Sequence, residues 1–105
     1  MTAKTRKEQI QEMLADEPND PFLRYGLAME YISEGDDEQA VKHFRDLLRV
    51  APEYVAAYQQ AGQTLQRLGR DAEAGELLRL GIQMALKQNN EHAAAEMQEL
   101  LVSLG

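Results

Sequence analysis

One six-residue pattern occurs twice. Gly35-Asp36-Asp37-Glu38-Gln39-Ala40 returns 34 residues later as Gly69-Arg70-Asp71-Ala72-Glu73-Ala74. The same spacing pairs Ala28 with Gly62, Tyr31 with Leu65, Phe44 with Leu78 and Leu48 with Ile82. A period of this length means that each unit is one supersecondary motif, too small to bury its apolar face alone, so neighbouring units stack and share a core. Residues 21–54 and 55–88 are the two units, and each reads as helix, glycine turn, helix. The whole chain has 105 residues and no cysteine, which allows one small domain without disulfides. A domain of this size buries only about 60–65% of its unfolded surface, so every helix has to serve one core.

Local signals place helices inside the units and on both flanks. Thr5-Arg6-Lys7-Glu8 is a capping box, and a helix is expected from there to about Asp16, ahead of Pro18. Ile10, Met13 and Leu14 form its apolar stripe. Asp20 caps the next helix with Pro21 at its first position, and the run to about Ser33 is apolar nearly all round, as befits a helix with several neighbours. Gly35 and Gly69 suit the left-handed position that follows a helix. Asp36 with Gln39 caps a third helix, to about Val50, whose stripe is Ala40, Phe44, Leu47 and Leu48. A fourth is expected over about residues 53–68 and a fifth over 71–87. Asn89 and Asn90 break the pattern and cap a last helix over about 91–104. Residues 1–20 thus form an N-terminal flanking helix and residues 89–105 a capping helix, six helices in all, and together they cover the apolar ends that two units would leave. The scarcity of aromatics, 6%, and the abundance of Ala, Leu, Glu and Gln agree with an all-α class.

The chain resembles the tetratricopeptide repeat (TPR) family on Leu27, Ala28, Tyr31, Gly35, Ala40, Phe44 and Pro52 in the first unit. In the second unit the resemblance rests on Tyr58, Gly62, Leu65, Gly69, Ala74 and Leu78. It departs from the family pattern at Arg24, where a large apolar residue is usual. Leu47 and Gly81 replace a small alanine, and Leu86 replaces a closing proline. The resemblance implies antiparallel helix pairs stacked into a superhelix whose concave side is lined by the first helix of each pair. It also implies a non-enzymatic scaffold that binds a protein or peptide in that groove. The concave positions it carries over are Phe22, Tyr25, Met29 and Ser33, followed by Gln59, Gln63 and Arg67. Amides and a tyrosine can hydrogen-bond an extended backbone, and a methionine adapts to apolar side chains. Family members that grip the acidic tails of chaperones use Lys and Asn on these helices, and Tyr25, Met29, Gln59 and Gln63 do not supply them.

No residue set points to catalysis, a cofactor or a metal. His43 with Asp46, and His92 with Glu96, lie at helical spacing, but neither pair has the convergent ligands of a zinc site, and both histidines read as solvated. The acidic run Glu34–Glu38 reads as helix capping. A net charge of -7 argues against nucleic acid, whose affinity comes mainly from Lys and Arg on phosphates. No apolar run is long enough to span a bilayer, and residues 1–7 lead into polar sequence, so a cytoplasmic protein without a membrane partner is expected. Met1 and the short tail lead to the expectation of a complete chain. The alternative to groove binding is a self-associating structural protein, a homodimer formed through Met97, Leu100, Leu101 and Leu104 of the last helix.

Overall fold

Side-chain caps set most of the helix starts. The structure, a computed structural model, describes residues 3–104. They form α1 (Arg6–Asp16), α2 (Pro21–Ser33), α3 (Asp37–Val50), α4 (Val55–Arg67), α5 (Asp71–Lys87) and α6 (Glu91–Leu104), with no strand among the described residues. At α1 the Thr5 hydroxyl accepts from the Glu8 N–H at 3.1 Å while the Glu8 carboxylate accepts from the Thr5 N–H at 3.4 Å. The Asp20 carboxylate accepts from the N–H groups of Phe22 and Leu23, Asp36 from Gln39, and Asn90 from Ala93. These bonds satisfy donors that a helix N-terminus leaves unpaired. α4 and α5 start on Tyr54 and Arg70 without a side-chain cap, and α4 begins later than its sequence implies because Tyr54 N–H closes a turn on the Ala51 carbonyl.

Gly35 and Gly69 end α2 and α4 with φ of 79° and 76°. In each turn two N–H groups reach back to the helix: Gly35 to Ile32 and Asp36 to Tyr31, then Gly69 to Gln66 and Arg70 to Leu65. This is the glycine-dependent left-handed termination expected of them. Asn89, at φ 59°, plays the same part after α5.

The 34-residue frame extends beyond the two units. α1 ends at Asp16 and α3 at Val50, followed by Pro18 and Pro52, so α1 is in register with the second helix of a pair. At the other end the frame slips. α5 has 17 residues against 14 in α3, because Leu86 lets the helix run on where Pro52 follows the end of α3, and α6 starts 36 residues after α4.

Helices pack in chain order into an elongated stack of 49 × 28 × 20 Å. One core runs from α2 to α6, with Phe44, Leu47, Leu65, Leu78 and Met97 completely buried. A small separate cluster of Ile10, Leu14 and Leu27 holds α1 on α2. Met13, part of the apolar stripe of α1, is instead 47% exposed. α4 and α5 approach closely at two glycines. A Cβ on Gly62 would lie 2.6 Å from Leu78 Cδ2, and one on Gly81 would lie 2.5 Å from Tyr58 Cβ and 2.6 Å from Met97 Sδ. Three arginine–carboxylate pairs tie the repeats together on the surface: Arg67 with Asp37, Arg70 with Glu38 and Arg45 with Glu73. Exposed pairs of this kind contribute at most about 1 kcal/mol each.

Candidate functional site

Spacings of three and four residues put Phe22, Tyr25 and Met29 on one face of α2. Phe22 is 72% exposed. Tyr25 is half-buried, its ring 5.9 Å from that of Phe44 and 5.3 Å from that of Tyr54, and burial pushes its hydroxyl pKa up. Met29 packs partly against the core, and Ser33 is exposed at the end of the helix. Beside this face lies a groove of about 290 Å³ between α1 and α2, where Ile10 and Met13 meet Phe22, Tyr25, Gly26 and Met29. Its rim holds an Arg6–Glu30 ion pair at 2.8 Å. Sequence reasoning overlooked the contribution of α1. Subtracting 34 from Leu47 lands on Met13, and that correspondence would have found it.

The α4 stripe lines a different hollow. Gln59 and Gln63 face Glu96, Glu99, Leu100 and Ser103 across about 240 Å³ between α4 and α6. Gln59 donates to the Glu96 carboxylate at 3.2 Å, and His92 Nε2 lies 2.6 Å from the same carboxylate. Arg67 is engaged elsewhere. Its guanidinium donates to both Asp37 carboxylate oxygens, at 3.2 and 3.1 Å, and to the Thr64 hydroxyl at 3.2 Å. The concave candidates therefore fall into an apolar α2 group and an amide-bearing α4 group, with Arg67 tied to α3.

On α6, Met97 is completely buried next to Gly81, and Leu100, Leu101 and Leu104 are half-buried against the core. Ala95, Gln98 and Val102 face outward, with Val102 70% exposed.

The reading of His43 as a solvated side chain is corrected by the structure. Its half-buried ring stacks on Tyr31 at 5.1 Å and 9°, and its Nδ1 lies 3.3 Å from the Arg24 guanidinium. Burial first, and Arg24 second, hold its pKa below the usual imidazole value. Arg24 also donates to the Pro18 carbonyl at 3.0 Å, so a cation occupies the position where the family usually has a large apolar residue. His92 is exposed.

No helix among the described residues is long and apolar enough to cross a membrane. The tetratricopeptide repeat family matches at residues 23–54 and 55–88. A TPR repeat-containing protein of Pseudomonas aeruginosa is 30% identical over 97 residues, 92% of each chain. The solution structure of a tetratricopeptide repeat domain protein from Salinibacter ruber superposes with a TM-score of 0.78 at 30% identity, over 83% of this chain and 88% of that one. A protein from Bordetella parapertussis, also solved in solution, gives 0.83 at 27% identity, over 97% and 89%. Two consecutive matched repeats, in helix pairs that close on left-handed glycines, place this chain in the tetratricopeptide repeat family.

Proposed function

We propose that the chain is a non-enzymatic interaction module that holds a segment of another protein along its α2 and α4 faces. The fold supports an interaction module in general. The observation that carries the finer reading is Phe22, a large aromatic left 72% exposed at the mouth of an apolar groove. Aromatic side chains that fill pockets dominate binding energy in protein interfaces. Phe22, Tyr25 and Met29 supply apolar contact, and Gln59 and Gln63 supply amides for a partner's backbone.

The test uses peptides selected from a displayed library on the intact chain. Phe22→Ala with Gln63→Ala is expected to weaken their binding at least tenfold. Lys42→Ala with Arg45→Ala on α3 should leave it within about twofold. Phe22 is preferred over Tyr25 because the Tyr25 ring also packs on Phe44 and Tyr54, so its loss would mix stability with binding. Binding unchanged in the first variant and lost in the second would move the site off the concave face.

A further inference from the structure

The groove between α1 and α2 has the form of an unfilled helix seat. In the repeat frame α1 is a second helix, and Ile10 stands where Phe44 and Leu78 stand. Among the further positions that second helices bury are two on this side: Ala40 and Leu47 in α3, Ala74 and Gly81 in α5. On α5 the first helix of the same pair supplies one side of their cover, since Gly81 abuts Tyr58 and Leu78 abuts Gly62, and Met97 of α6 supplies the other. In α1 the same two positions are Arg6 and Met13, with the Arg6 side chain 74% exposed and Met13 47% exposed, and both line the groove. The surface that a first helix would cover is thus present and uncovered among the described residues.

The opposite end is the complement. α6 is a first helix: α5 of the preceding pair packs on it, but no second helix of its own pair follows among the described residues. A hollow of about 310 Å³ between α5 and α6, lined by Gly75, Arg79, Leu101 and Leu104, lies next to it.

We propose that the two ends fit one another. α6 of one copy seats in the α1–α2 groove of the next, and α1 of that next copy caps α6, completing a helix pair split between two molecules. The repeat frame selects this occupant, since the groove lacks a first helix and α6 is a first helix that lacks its second. Charge is compatible with it: α6 carries Glu91, Glu96 and Glu99, and no Lys or Arg follows Lys87, whereas Lys4, Arg6 and Lys7 lie at the start of the chain, where they pair with Glu12, Glu30 and Glu34 of their own copy. First and second helices run antiparallel, as the pairs Tyr58–Gly81 and Gly62–Leu78 require. The C-terminal end of α6, with the negative pole of its dipole, then meets Arg6 and Lys7 in the first turn of α1. Such a contact joins two different surfaces, so it does not close on two copies and continues head to tail. The seat shares Phe22 and Met29 with the face proposed to hold a partner segment, so a docked copy and a bound peptide compete.

Sedimentation velocity tests this, from low micromolar to near-millimolar concentration and at low and high salt. The intact chain is expected to grow beyond dimer as concentration rises, and to shrink with added salt. Met13→Asp spoils only the groove and Val102→Asp only the outer face of α6, so each alone should stay monomeric. Mixed in equal amounts they should form a dimer and nothing larger, because one intact groove meets one intact tail. Both residues are exposed, and circular dichroism of each variant checks its fold; Phe22→Asp replaces Met13→Asp if the latter loses helicity. A wild-type chain monomeric throughout overturns the proposal, as does a mixture that stays monomeric. It is also overturned if Met13→Asp abolishes assembly while Val102→Asp has no effect, the pattern of a groove pairing with itself.

Discussion

Arg24 shows how a single side chain can replace a packing contact with a polar one. Its guanidinium donates to the Pro18 carbonyl and meets His43 Nδ1, linking the α1–α2 connection to α3. That arrangement needs a neutral imidazole that accepts from the arginine. Because the folded-state pKa of His43 lies below its ordinary value, the unfolded chain binds more protons, and stability falls as pH drops below about 6.5. Thermal melts between neutral and mildly acidic pH should show that loss, and His43→Gln should flatten it. The glycines provide a second test. Gly35 and Gly69 sit at φ 79° and 76°, so valine at either should cost about 1 kcal/mol or more in a urea titration. These glycines and the caps at Thr5, Asp20 and Asp36 were legible in the sequence because each acts through its immediate chain neighbours. His43 was not legible, since its burial depends on Tyr31 and Arg24, which reach it from another helix.

Among the helices, α5 departs most from its repeat counterpart. Leu86 occupies the place of the family's closing proline, and α5 continues through it to Lys87. Restoring the family residue should therefore harm the protein. Leu86→Pro would remove a helical N–H and crowd the preceding turn at the buried Ala85, costing about 3 kcal/mol in thermal unfolding followed by circular dichroism. The period and the glycine turns carried most of the helix layout. They could not indicate which side of α1 would be left without a neighbour, because Met13 has the same apolar character as Ile10 and Leu14 and differs only in what lies opposite it. The Arg67 ion pair was hidden for a similar reason, since Asp37 lies 30 residues away and meets it only when repeats stack.

At the scale of the whole molecule the stack has two cores of unequal strength. The main one spans α2 to α6, and the other is three buried residues under α1. In a nearest-neighbour stack the weakly held end opens first. Native-state hydrogen exchange should show α1 amides opening at lower free energy than those of α4 and α5. Ile10→Ala should widen that gap and leave α4–α5 protection nearly unchanged; uniform loss across all helices would mean one cooperative unit. The candidate site was only half legible for the same reason. The sequence identified the α2 and α4 stripes by their spacing, whereas the groove wall on α1 exists only because α1 packs chiefly on α2, while interior helices are flanked on both sides.

The contact at Gly81 also bears on heredity. Every single-base change in a glycine codon that alters the residue adds at least one carbon, and here that carbon would fall 2.5 Å from the Tyr58 Cβ and 2.6 Å from the Met97 sulfur. Trimming Met97 relieves one collision, but the other involves the first side-chain carbon of Tyr58, which only glycine at that position would remove. Variation at codon 81 is therefore open only to lineages in which α4 and α5 have already moved apart.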